Sequence, residues 1–241
     1  MKNVCLIGYG YWGKIVYKSL KKIKSIKKVL IIKSRKNKNT INLSSVDWVI
    51  ITATSTSHFG LVKKYLNLKK NVFCEKPLTL KFQDDLKLYK IAKKNKCKIY
   101  VSDVERYKKK KLTILKKNEI CRSKFSNSKK DILYRLTYHD FTYLFKFLRP
   151  HEKIKIKIIK TGRGFLKFAL VRGVKNFIFT YNLNATQKIH RFNNTNLMTK
   201  KNILQQMISK VINKKVDFSM NKKISLFSHQ MCLKILKKIE N

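Results

Sequence analysis

Val72-Phe73-Cys74-Glu75-Lys76-Pro77-Leu78-Thr79 decides how this chain folds. A short β-branched and aromatic run ends abruptly at a carboxylate, an ammonium and a proline. The run reads as a strand, and the proline ring, which removes a backbone donor, ends it. In open α/β sheets, ligands sit beyond the carboxyl ends of the strands. An amine fixed at such an end, as Lys76 is by the rigid residue after it, is placed for chemistry rather than for solvent.

Upstream lies a second landmark, Gly8-Tyr9-Gly10-Tyr11-Trp12-Gly13. It follows the apolar run from Asn3 and opens a helix through about Lys24, with Ile15, Val16, Leu20 and Ile23 at helical spacing. A strand before and a helix after make Gly-x-Gly-x-x-Gly a dinucleotide fingerprint. Gly8 permits the tight turn, Gly10 lets the backbone approach a pyrophosphate, and Gly13 lets helix and strand pack closely. Tyr11 and Trp12 lie within the same loop, and the helix N-terminus faces the phosphate charge. At the end of the second strand, where an NAD-binding unit usually carries a carboxylate for the ribose, the chain reads Lys33-Ser34-Arg35-Lys36. Ser34 and Arg35 suit a 2′-phosphate. Basic residues fill 58 of 241 positions, however, so both NAD and NADP stay open.

Working on from these landmarks, strands are expected at Val29 to Ile32, Asp47 to Ala53, Asn71 to Glu75 and Lys98 to Ser102. Helices are expected from near His58 to Leu68 and over roughly Lys81 to Asn95. Strands alternating with helices imply a parallel sheet, so residues 1–115 read as a Rossmann-type NAD(P)-binding domain. The remainder, 116–241, reads as a smaller α+β substrate and oligomerisation domain. A helix spans Asp131 to Leu148, with Leu133, Leu136, His139, Asp140, Tyr143, Leu144 and Phe147 at intervals of three and four. Strand-like segments near 154–160, 165–172, 175–183 and 186–192, separated by Gly and Asn, predict a mixed or antiparallel sheet. Two helices, about 202–213 and 222–239, follow.

The formal charge is +46, with 58 basic against 12 acidic residues. Such a charge draws anionic ligands and strains the folded state by self-repulsion. Only eight of the basic residues are Arg, and the lysines are spread through every segment rather than gathered in a stripe. Together with abundant Asn and Ile, this reads as compositional drift, and no dedicated nucleic-acid site is expected. Five scattered cysteines without a Cys-x-x-Cys pair suit a reducing compartment and speak against a metal site. No apolar run approaches the ~20 residues of a membrane helix. A cytoplasmic protein without a membrane span is expected.

Taken together, the chain resembles the glucose–fructose oxidoreductase/inositol dehydrogenase group (Gfo/Idh/MocA), as a shortened member. The likeness rests on the Gly8 to Lys14 opening, on Ile51-Thr52-Ala53-Thr54-Ser55-Thr56-Ser57-His58, and on Val72 to Thr79. Arg106-Tyr107, His139-Asp140 and the closing helices continue it. The resemblance implies NAD or NADP as cofactor and a sugar or nucleotide-linked sugar as substrate, in surface-polysaccharide pathways. It also implies a homo-oligomer through the C-terminal sheet. Lys76 would bind the reacting oxygen and His139 would exchange its proton. Glu75 and the loop from Ala53 and Thr54 to His58 would line the nicotinamide end. His58 also reads as a plain helix-start residue, and His139 as a helix-face histidine. One departure stands out: Arg135 occupies the place, four residues before the catalytic His, where the family has an Asp that orients the imidazole. A second reading is therefore a cofactor-binding paralogue with eroded chemistry, and a third is a polyanion-binding protein.

Overall fold

The short apolar runs of the first half are strands because both of their faces are covered, which a β-branched, continuously apolar sequence permits. The computed structural model describes residues 1–33, 43–127, 131–148, 153–199 and 201–240. Strands β1 (Lys2–Ile7), β2 (Ile26–Ile32), β3 (Trp48–Ile51), β4 (Asn71–Cys74) and β5 (Ile99–Val101) form a parallel sheet in the order β2-β1-β3-β4-β5. Alternate residues divide between its two faces. Val4, Leu6, Trp48, Ile50, Phe73 and Tyr100 pack with α1 (Tyr11–Lys21) and α5 (Ile203–Ile212). Cys5, Ile7, Val49, Ile51, Val72 and Cys74 pack with α2 (Ser55–Asn67) and α3 (Phe82–Lys94). The chain changes face between β1 and β3, and that switch point is where open sheets of this kind bind ligands.

The outer edge of β5 is closed by a side chain. Asn221, in the first turns of α6 (Phe218–Glu240), accepts from the Val101 amide at 2.9 Å and donates to the Val101 carbonyl at 2.9 Å. A strand edge needs such cover, because its free amides and carbonyls otherwise recruit another strand.

The chain divides into two units, Met1–Tyr107 with Asn202–Leu226, and Lys108–Lys201 with Phe227–Asn241. They are not the two consecutive stretches expected, 1–115 and 116–241. Residues 202–226 return to the first unit because α5 carries an apolar face (Leu204, Met207, Ile208, Val211) that completes the first sheet's cover.

The second unit is built on a six-stranded mixed sheet in the order β11-β10-β6-β9-β8-β7. Its strands are β6 (Lys117–Ser123), β7 (Lys155–Gly162), β8 (Phe165–Arg172), β9 (Lys175–Asn182), β10 (Ile189–Phe192) and β11 (Thr195–Asn196). β6 and β9 run parallel and the remaining pairs antiparallel. α4 (Tyr138–Leu148) lays Phe141 against Phe168 and Phe179. The fold class expected from the sequence is the one observed, with differences in detail. The helix expected over 131–148 is broken by a π-turn at Leu133–Thr137, and β6 was not expected. Only Ile120 marks the inward face of β6 as apolar; beside it Asn118 is fully buried, its amide donating to Leu115 O and Asn176 O. Among the described residues, no helix is long and apolar enough to cross a membrane.

Candidate active site

The corner between β1 and α1 is set by glycines with two different jobs. Gly8 has φ +90, and a Cβ on it would lie 2.6 Å from the Ala53 amide nitrogen. A Cβ on Gly13 would lie 2.1 Å from Gly8 O, the carbonyl to which Thr52 Oγ1 donates at 2.6 Å. First and third glycines are thus there so that helix, loop and strand can touch. Around Gly10 nothing among the described residues lies within 4 Å of the corresponding position. The middle glycine faces open space, at the N-terminus of an eleven-residue helix with no acidic residue in its first turn. That end offers free amides and a positive dipole to an anion. Tyr11 and Trp12 flank it, 85% and 38% exposed. At the end of β2, the Lys33 ammonium lies over the Tyr9 ring, 5.7 Å from its centroid. Ser34 and Arg35 lie outside the described residues.

The adjacent strand ends bring the remaining first-unit residues to the same sheet edge. β3 ends into Thr52 and Ala53, and exposed Thr54 precedes the first turn of α2. β4 ends into Glu75 and half-buried Lys76, with the Glu75 amide donating to Ile51 O at 2.9 Å. The Lys76–Pro77 peptide is cis. Glu75 is 7% exposed, and its Oε1 has no hydrogen-bond partner among the described residues. Burial, and then the neighbouring Glu75 and Asp85, push the Cys74 thiol well above its ordinary value, so it is not a nucleophile. His58, 2% exposed, turns its ring inward: Nδ1 lies 2.8 Å from Pro77 O and Nε2 3.0 Å from Ala53 O.

In the second unit His139 is half-buried on α4. The next residue, Asp140, is buried and anchors that helix to the sheet: Arg122 Nη1 of β6 donates to it at 3.1 Å, and His190 Nε2 of β10 lies 2.9 Å away. On the other ring nitrogen, the Lys108 ammonium lies 2.8 Å from His190 Nδ1 and can only donate. Burial by itself would raise the Asp140 pKa. His190 and Arg122 outweigh it and hold the carboxyl at about 2. Sequence reading places Asp140 on the helix beside His139 and misses its partners. A lone histidine in the alternating strand Ile189-His190-Arg191-Phe192 was the available signal. Arg135 lies in the π-turn, and the half-buried Lys124 amine is lowered by burial first, then by Arg135 and Arg122. Among the described residues, no group of three or more His, Cys, Asp or Glu side chains is placed to hold a metal ion.

Comparison with known proteins agrees with this fold. Residues 19–103 match the family described as oxidoreductase family, NAD-binding Rossmann fold (GFO_IDH_MocA). The matched stretch holds β2 to β5 and the Lys76–Pro77 turn; the glycine corner precedes it. No curated protein matches the chain by sequence. Among solved structures, a UDP-N-acetylglucosamine 3-dehydrogenase from Acidithiobacillus ferrooxidans superposes with a TM-score of 0.80 at 13% identity, covering 97% of this chain and 96% of that one. A dehydrogenase (MviM) from Clostridium difficile gives 0.77 at 15% identity, covering 98% and 99%. A myo-inositol dehydrogenase from Corynebacterium glutamicum gives 0.75 at 10% identity, covering 98% and 96%. At such identities these structures speak for the fold. The family resemblance read from the sequence is the one found, and a nicotinamide cofactor accords with that family's description.

Proposed function

We propose that this protein is a cytoplasmic NAD(P)-dependent oxidoreductase that moves hydride between nicotinamide and a hydroxyl or carbonyl of a sugar or nucleotide-linked sugar, serving surface-polysaccharide synthesis. The observation that carries the reading is the glycine corner: packed at Gly8 and Gly13, open at Gly10, and on the same sheet edge as Glu75 and Lys76. Those residues fit a dinucleotide. The α1 amides would hold its pyrophosphate, and Glu75, whose Oε1 has no hydrogen-bond partner among the described residues, would line the nicotinamide end with Ala53 and Thr54. Lys33, with no carboxylate at hand before the undescribed residues, tilts the ribose position toward NADP. When bound, the cofactor supplies the hydride-accepting or hydride-donating carbon.

The chain's own residues do the rest. The Lys76 ammonium binds the reacting oxygen and stabilises the negative charge that grows on it as the hydroxyl loses its proton. His139 takes that proton or returns it. The expected test is reduction of NAD or NADP, followed at 340 nm, across a panel of sugars and nucleotide sugars. Replacing Lys76 with Met should lower kcat by about 10²–10³-fold. Replacing His139 with Asn should lower it by about 10²–10⁴-fold. A wild type silent with every substrate and both cofactors overturns the proposal. Self-association through the six-stranded sheet belongs to the same proposal and is read by light scattering.

One observation favours a second reading, a paralogue that keeps the cofactor and has lost turnover. Arg135 replaces the acceptor that would orient His139, and it shares its surroundings with two further cations, Lys124 and Arg122. Activity that appears only in Arg135→Asp supports that reading, and a fully active wild type rules it out.

A further inference from the structure

We infer that His58 is a positioning residue, an imidazole bridge that sets the Lys76 turn against the floor of the nucleotide corner; the inference rests on the function proposed above. Its two contacts reach different parts of the site. Through Nε2 it holds Ala53 O, and the Ala53 backbone is the surface on which Gly8 closes. Through Nδ1 it holds Pro77 O, the carbonyl immediately after Lys76. Both partners are acceptors only, so a neutral ring, with its single N–H, donates to one carbonyl at a time and passes between them by changing tautomer. The ring is 2% exposed.

The surrounding bonds show why this bridge matters to Lys76. On its N-terminal side the segment is fixed by the Glu75 amide on Ile51 O. Further along, Thr79 Oγ1 lies 2.7 Å from Asp85 Oδ1, and both residues are buried. Between these ties, His58 reaches the backbone next to Lys76. An amine that must meet a reacting oxygen tolerates little error, since a misplacement of about 1 Å costs on the order of 100-fold in rate. A buried histidine that served only to fill space would not need both nitrogens aimed at carbonyls of two site-forming loops.

Two conservative variants separate the two ties. The amide nitrogen of Asn in His58→Asn falls near Nδ1 and keeps the Pro77 tie. That of Gln in His58→Gln falls near Nε2 and keeps the Ala53 tie. Dinucleotide affinity is read by quenching of Trp12 on titration with NADH or NADPH, since Trp48, the other tryptophan, is fully buried. The Lys76 setting is read without cofactor, as the rate at which a succinimidyl ester acylates it relative to the other lysines, by peptide mass spectrometry. Losing one hydrogen bond is worth about 1 kcal/mol, so about a fivefold change is expected in the affected readout. His58→Gln should change Lys76 acylation and leave dinucleotide affinity near wild type. His58→Asn should do the reverse.

Both readouts moving together in both variants, in step with a lowered Tm, would mark His58 as an ordinary core residue and overturn the inference. Neither readout moving overturns it as well. A wild type that binds neither dinucleotide overturns the proposed function, and the acylation rates then decide the bridge alone. If one variant does not fold, the other still tests its own tie.

Discussion

Beyond β1 the molecule is shaped by side chains that are missing, whereas beneath α4 it is shaped by charged side chains meeting in a dry interior. At Gly8 and Gly13 any Cβ would collide with backbone, and the corner exists because nothing projects there. At Asp140 the reverse holds: a carboxylate, a guanidinium and an imidazole are drawn out of water and gathered against one another. The first arrangement is local in sequence and geometric in origin. The second joins α4 to two strands from elsewhere in the chain and depends on charge. Each should therefore fail in its own way.

The largest loss is expected at the charged anchor. Asp140→Ala leaves the Arg122 guanidinium, only 16% exposed, without its counter-charge, and breaking a buried pair in this way costs about 3–5 kcal/mol. The pH dependence sharpens the test. Asp140 sits at about 2 in the folded protein against the usual 3.8, so its proton binds more tightly to the unfolded chain. Its contribution is fully present above about pH 4 and is lost as pH falls through 2. At about 1.36 kcal/mol per pKa unit, the amount is on the order of 2 kcal/mol. Urea melts between pH 2 and 5 should show this slope in the wild type and a flatter one in Asp140→Asn. Equal slopes in the two proteins would show that the carboxylate is not held by its neighbours.

Next in size is Gly13→Ala. The added methyl would meet Gly8 O at 2.1 Å, and because backbone cannot swing aside, overpacking of about 1–3 kcal/mol or somewhat more is expected. Thermal melting reads this directly. A stability unchanged from wild type would mean that α1 does not pack on the corner as described. Asn221→Leu comes third. It keeps the number and branching of the side-chain heavy atoms but strips the hydrogen bonds from the Val101 amide and carbonyl, at about 1–3 kcal/mol. Hydrogen exchange at Val101 should quicken while exchange at Val4, in the middle of the sheet, follows only the global loss.

What was legible in the sequence follows the same division. The parallel strands announced themselves because burial on both faces demands unbroken apolar runs, as in Trp48–Ile51. The glycine corner was legible because close approach leaves a signature in the residues themselves. β6 was not, since its inward face relies on Asn118, whose burial is tolerable only with the Leu115 and Asn176 carbonyls at hand. The partners of Asp140 were invisible for a related reason: they depend on β6 and β10 lying side by side, a pairing no local pattern encodes. His58 shows a third case. Its partners are carbonyls, which every residue carries, so no residue type could point to them. The division of units was misjudged at residues 202–226, where an amphipathic helix covers a sheet far from it in the chain.

The smallest structural effect is the most telling for function. Gly10→Ala places a methyl where nothing among the described residues lies within 4 Å, at a helix cap where the backbone is extended (φ −72, ψ −166) and any residue is at ease. Stability should change by no more than about 0.5 kcal/mol, the usual range for a surface substitution. A dinucleotide whose pyrophosphate must approach that backbone would meet the methyl directly, and its Kd should rise about tenfold or more, a cost of about 1.4 kcal/mol. Gly13→Ala and Gly10→Ala thus form a pair, the one damaging the fold and the other damaging only the ligand's seat. If Gly10→Ala binds NADH and NADPH as tightly as wild type, the open side of the corner is not where the phosphates lie, and the cofactor must be sought elsewhere on the sheet edge.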